Sequence, residues 1–112
     1  MSNDKKKTWY ESENIVAEYY SQKGFTIIQQ NYTVQDWELD LIIEDSKKLI
    51  FVEVKTVDQI DDLFDYITPR KLSTVKRTIQ TYLWKNPTQK DIRLDVVFVK
   101  NKQVFEVYEN IE

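Results

Sequence analysis

The sequence has no cysteine and no histidine. Without cysteine there are no disulfides, thiolate zinc sites or thiol nucleophiles. Without histidine there is no His-assisted triad, no HExxH metalloprotease helix and no imidazole proton shuttle. A single glycine, Gly24, excludes the glycine-rich phosphate loops of P-loop and Rossmann proteins. Chemistry is left to carboxylates, lysine, arginine, hydroxyls and a hard, oxygen-preferring metal. No apolar run approaches the roughly 18 residues that span a bilayer. The polar, lysine-bearing start at residues 1–7 has no hydrophobic stretch behind it, unlike a signal peptide. The chain therefore reads as cytoplasmic, with 1–7 as a flexible lead-in. The net charge of −3 gives no global positive field for drawing in nucleic acid.

What is present suits one soluble domain: 112 residues, 41% hydrophobic and 31% charged, with no repeat or linker. Thr8 to Lys23 reads as a helix whose apolar stripe is Ile15, Val16, Tyr19 and Tyr20, stopped by Gly24 as a left-handed cap. Phe25 to Tyr32, Leu39 to Ile43 and Leu49 to Val54 read as strands, with turn chemistry at Asp45-Ser46-Lys47-Lys48. Asp58 to Asp65 is an acidic loop or short weak helix. Thr68-Pro69 has the pattern of an N-cap followed by proline at the first helical position, opening a helix to about Lys85 that Asn86-Pro87 ends. Ile92 to Val99 and Gln103 to Tyr108 are two more strands. The order α-β-β-β-α-β-β predicts an α/β fold, a mixed central sheet flanked by helices.

The sharpest chemical inference lies in the second hairpin. A turn centred on Ser46-Lys47 makes cross-strand position numbers sum to 93, which sets Asp40 opposite Glu53 on one sheet face, with Cβ atoms about 5 Å apart. Two such carboxylates repel unless one is protonated or a cation lies between them, and Mg²⁺ held by carboxylates and water is the ordinary resolution. Lys55, two residues beyond Glu53, shares that face and could position a metal-bound water for attack on a phosphodiester. A Glu-x-Lys pair is equally a solvated salt bridge on an exposed sheet. The run Leu49-Ile50-Phe51-Val52-Glu53-Val54-Lys55 weighs against that, because charges on a strand buried on both faces need a reason.

Other candidates surround this pair. Glu13 lies on the face the first helix should bury, as a residue reaching water or as a further member of an acidic cluster. Glu38 alternates onto Asp40's face and is either another ligand or exposed. Arg70, Thr74 and Arg77 recur at helical spacing, flanked by Lys71 and Lys76, as a phosphate-contacting stripe or a solvated helix face. The acidic run Asp58, Asp61, Asp62 and Asp65 fits no calcium-loop spacing and reads as solvating. Trp9, Trp37 and Trp84 read as core or rim aromatics rather than base-stacking platforms.

Taken together and in order, the motifs resemble the YraN-like family of endonuclease-like proteins, within the restriction-endonuclease-like PD-(D/E)xK superfamily. The resemblance is carried by Glu13-x-x-Val16-x-x-Tyr19-Tyr20-x-x-x-Gly24-Phe25, Asn31-Tyr32, Trp37-Glu38-Leu39-Asp40-Leu41-Ile42 and Phe51-Val52-Glu53-Val54-Lys55-Thr56. Lys71, Tyr82-Leu83 and Arg93-Leu94-Asp95-Val96-Val97 extend it, so that it covers about residues 10 to 99. Trp37 stands where the family pattern has Gly, and Thr33 and Val57 stand where it has Arg. The resemblance implies a restriction-endonuclease-like core and Mg²⁺- or Mn²⁺-dependent cleavage of DNA, including branched or single-stranded DNA. Asp40 and Glu53 would hold the metal with the Val54 carbonyl, Lys55 would orient the water, and Glu13 would be an accessory acid. A nuclease-fold module that binds nucleic acid without cutting it is the alternative, and a protein-interaction domain a third. So small a domain offers little surface for gripping a duplex, which leaves room for a homodimer.

Overall fold

The computed structural model describes residues 3–35, 37–58 and 63–111. The first helix, α1, runs Asn3–Gln22. It begins earlier than the apolar stripe predicts: Asn3 to Lys7 hold no glycine, proline or β-branched residue, so nothing there interrupts a helical backbone. At its other end Gly24 takes φ +95°, and the Phe25 N–H returns to the Tyr20 carbonyl at 3.1 Å. Only glycine adopts that conformation without strain, and the chain reverses there into the sheet.

Five strands follow: β1 (Thr26–Val34), β2 (Trp37–Glu44), β3 (Lys48–Thr56), β4 (Asp91–Lys100) and β5 (Gln103–Tyr108). They form one sheet in the order β1-β2-β3-β4-β5. β3 and β4 are parallel and the other pairs antiparallel, so the expected mixed sheet is what forms. A parallel pair needs a crossover, here supplied by α2 (Leu63–Tyr66) and α3 (Pro69–Lys85). Thr68 caps α3 as expected: its hydroxyl accepts from the Lys71 N–H at 3.2 Å, with Pro69 at the helix start. Among the described residues no helix is long and apolar enough to cross a membrane.

β3 lies at the centre of the sheet, which explains its apolar run. On one face Leu41, Ile43, Ile50, Val52 and Val54 pack under Val16 and Tyr20 of α1. On the other, Ile42, Leu49 and Phe51 pack against Val75, Ile79 and Tyr82 of α3. A third group, Val57, Ile67, Val96 and Phe98, closes the core near α2. Trp84 joins none of these; it is 84% exposed on the last turn of α3, so it is neither core nor rim. The side chain of Trp9 lies outside the described residues, as do Asp61 and Asp62, while Asp58 and Asp65 are exposed.

Candidate metal centre

The hairpin register is fixed by its turn. Asp45 Oδ1 accepts from the Lys47 and Lys48 N–H groups at 2.8 and 2.7 Å, and the Asp45 N–H donates to the Lys48 carbonyl. Pairing then runs from Glu44↔Leu49 to Leu41↔Val52, the register whose position numbers sum to 93. One step further, side chains take over from the backbone ladder. Asp40 Oδ2 accepts from the Val54 N–H at 2.7 Å, which brings its carboxylate next to Glu53.

Both carboxylates are buried, Asp40 at 7% exposure and Glu53 at 2%. Burial pushes Asp40 up to about 7, only partly offset by the Val54 N–H. Burial first, and then the Asp40 charge, hold Glu53 well above the ordinary carboxylate range. Among the described residues Glu53 Oε1 has no hydrogen-bond partner, a rare condition for a buried oxygen.

Two more acids close on this pair. Glu13, on α1, is fully buried, and one oxygen each from Glu13, Glu38 and Asp40 lies within 4.8 Å of the others. Burial, then Asp40, then Glu38 raise Glu13 to about 8. Asn31, at φ 56°, lies between the acids. In the amide orientation its neighbours require, its nitrogen donates to Glu13 Oε1 at 3.0 Å and Glu38 Oε1 at 2.6 Å. The Ser12 and Thr56 hydroxyls, 2.5 Å apart, fasten the same turn of α1 to the end of β3.

Cations stand beside the acids. Lys55 Nζ lies 5.4 Å from the centroid of the Tyr66 ring, and Lys71 Nζ lies 3.6 Å from the same centroid and 5.2 Å from that of Trp37. Lys71 interacts with Glu53 and Asp40, and its pKa is lowered, by burial first and by Lys55 next. Tyr66 is pushed up by burial and by the Glu53 and Asp40 charges. The basic stripe of α3 therefore divides. Lys71 turns to the acidic cluster, Arg77 lines a cleft beside Trp37, Lys76 lines another beside Ile92 and Asn110, and Arg70 is exposed on the first turn.

Of the residues singled out from the sequence, the fold brings Glu13, Glu38 and Asp40 together and sets Glu53 by Asp40, while Lys55 lies by the Tyr66 ring. Sequence reasoning did not single out Asn31 or Tyr66 for the site. A second set of buried charge has a different character. Asp95 is fully buried but accepts from Tyr20 Oη, from Arg93 Nε and Nη2, and from the Asn110 N–H, all at 2.8–3.0 Å. That set is satisfied internally. At Glu53 one buried oxygen, Oε1, lacks a partner among the described residues, and an orphaned buried oxygen among mutually repelling carboxylates fits a hard divalent cation.

Residues 12–99 match the profile of "Uncharacterised protein family UPF0102". The chain belongs to this family. Among its relatives in UPF0102 is the UPF0102 protein FP2501 of Flavobacterium psychrophilum, 31% identical over 98 residues, which are 85% of this chain and 82% of the relative. The UPF0102 protein HPP12_0830 of Helicobacter pylori is 31% identical over 111 residues, 99% of this chain and 96% of its own. The UPF0102 protein CHAB381_0216 of Campylobacter hominis is 30% identical over 105 residues, 94% and 93% of the two chains. UPF0102 relatives thus align with nearly the full span that carries the acidic cluster, α3 and the last strands.

Proposed function

We propose that this UPF0102 protein is a divalent-metal-dependent DNA endonuclease of the cytoplasm, acting on phosphodiester bonds in branched or single-stranded DNA. The observation that carries this reading is the Glu53 carboxylate. It is buried, raised by that burial and by Asp40, left among the described residues with one oxygen unpartnered, and acted on by Lys71. Asp40 and Glu53, with the Val54 carbonyl, are the residues that would hold Mg²⁺ or Mn²⁺, with Glu13 and Glu38 as further acids around Asp40. When bound, such an ion lowers the pKa of a water and neutralises charge on the phosphate.

The chain's own residues do the rest. Lys55 is held on the Tyr66 ring close to Glu53's end of the strand, where its ammonium orients the attacking water. Lys71, on the other contact of that ring, presents a positive charge to the scissile phosphate. Arg70, Lys76 and Arg77 contact flanking phosphates, giving affinity that falls with salt. A second copy of the chain would widen the grip on a substrate larger than one small domain.

The test is a cleavage assay on plasmid, single-stranded and branched DNA with Mg²⁺ or Mn²⁺, comparing wild type with Glu53→Ala purified identically. Cleavage lost only in the variant supports the reading. Equal cleavage by both overturns this site. Salt-sensitive binding without cleavage by either makes the protein a nucleic-acid-binding module on a nuclease-like fold.

A further inference from the structure

Beside the acidic cluster, between the end of β1 and α3, lies a cleft of about 310 Å³ lined by Gln35, Trp37, Thr74, Arg77, Thr78 and Thr81. Its volume sits at the lower edge of small-ligand sites, roughly 300–1,000 Å³. Its walls, which also include Val34, combine one large aromatic ring, one guanidinium, an amide and three hydroxyls. The Arg77 guanidinium makes a long 3.4 Å contact to the Thr74 hydroxyl and, among the described residues, has no ion-pair partner. Trp37 Nε1 is buried without an acceptor among the described residues, so the indole is held by packing against the core rather than by a hydrogen bond.

Trp37 also joins this cleft to the acids. The Lys71 ammonium approaches the same indole at 5.2 Å from its centroid, and Lys71 is acted on by Glu53 and Asp40. Lys71 and Arg77 are six residues apart on α3, about 9 Å along its axis. The sequence from acids to Lys71 to indole to Arg77 alternates as a strand of nucleic acid does: scissile phosphate, base, next phosphate.

We infer that this cleft is a subsite for one unpaired nucleotide next to the scissile phosphate, with its base against the Trp37 indole and its phosphate on Arg77. The inference rests on the endonuclease reading and names its substrate class. A base can lie flat on an indole only when it is out of a duplex stack, so the subsite selects single-stranded or unpaired DNA. Stacking accepts any base, because every base offers a π face, so the preference is for strand state and not for sequence. Gln35 and the threonines line the cleft where the edge of the base would fall.

The experiment measures binding of a fluorescein-labelled 12-nucleotide oligo-dT and of a 12-base-pair duplex by anisotropy, with Ca²⁺ present. Mn²⁺ binding to each protein is measured separately by titration calorimetry. Wild type prefers the single strand. Trp37→Ala weakens that binding by about 10-fold, the loss expected when alanine removes one stacked base, and Trp37→Phe keeps most of it. Arg77→Ala, an exposed change that folding tolerates, weakens it several-fold and lowers the salt slope by about 1. Mn²⁺ binding stays as in wild type for all three.

Trp37→Ala binding oligo-dT as wild type does overturns the subsite, and so does loss of Mn²⁺ binding along with it, which marks a merely structural indole. Where Trp37→Ala does not fold, an Arg77→Ala protein with unchanged affinity and slope overturns it instead. If oligo-dT binding follows these expectations but Glu53→Gln cleaves as wild type does, the endonuclease site fails and the subsite stands. If wild type binds neither strand nor duplex, both fail.

Discussion

The Asp40 carboxylate accepts the N–H of Val54, the residue next to Glu53 on β3, at 2.7 Å. Asp40 is thus pinned by the backbone of the strand that carries Glu53, just past the last β2–β3 pair, Leu41↔Val52. The arrangement fixes two buried negative groups side by side while leaving Glu53 Oε1 open. Rigid placement of unsatisfied charge is costly in an empty core and useful around a cation.

That cost predicts a pH dependence of stability. Folding raises Glu13 from 4.5 to about 8 and Asp40 from 3.8 to about 7. Between those limits the folded chain holds protons that the unfolded chain has released, so stability falls as pH rises from about 4 to 8. Thermal unfolding in EDTA shows a midpoint at pH 8 lower than at pH 5 by about 5 °C or more. Mn²⁺ added at pH 8 restores it. A midpoint in EDTA that climbs over the same range contradicts the assignment.

Glu53→Gln keeps the size of the side chain and removes its charge. The variant unfolds at a higher temperature than wild type at pH 8 in EDTA and loses the gain given by Mn²⁺. Its cleavage falls by at least about 100-fold, beyond the usual effect of losing an outer-shell partner. Calorimetric melts of both proteins with and without Mn²⁺ provide the check.

Much of this site was legible before any fold was known, because a two-residue period leaves few choices. Once Asp45 fixes the turn, the register follows as far as Leu41↔Val52, and Asp40 and Glu53 are the next residues on the two strands. Glu13 stood out as a carboxylate on an apolar helical stripe, and the fold buries it. Tyr66 did not stand out: it sits in an aperiodic acidic stretch, and its role arises only where two lysines from separate elements meet its ring. Asn31 was visible as part of a motif, but its bridging of Glu13 and Glu38 depends on a left-handed residue in an edge strand, which no pattern announces. The division of the α3 stripe was equally hidden, since helical spacing shows which residues share a face but not what each end of that face meets.

The Asp95 network gives a stability prediction away from the acids. Tyr20→Phe removes one donor to a fully buried carboxylate at 2.8 Å and lowers stability by about 1–2 kcal/mol. Asp95→Ala leaves Arg93, whose side chain is 17% exposed, without its main partner and costs about 3–5 kcal/mol. Urea unfolding at fixed pH separates the two.

Thr68 provides a test of the helix that carries Lys71. Its hydroxyl caps the Lys71 N–H itself, so Thr68→Ala lowers stability by about 1 kcal/mol. Trp84→Ser, at a residue 84% exposed on the same helix, changes stability by no more than about 0.5 kcal/mol. Parallel chemical denaturation of the pair distinguishes a cap effect from a general sensitivity of α3.

Helix α1 carries Glu13 and Tyr20 seven residues apart, about 10 Å along one side. One end of that span meets the acids of β2 and the other is moored to Asp95 on β4. The helix therefore works as a strut across the sheet, and its far mooring sets the reach of its near carboxylate. Loosening Tyr20 from Asp95 shifts the aim of Glu13 without touching any acid around Asp40, so a residue chosen for anchorage governs the precision of a residue chosen for charge.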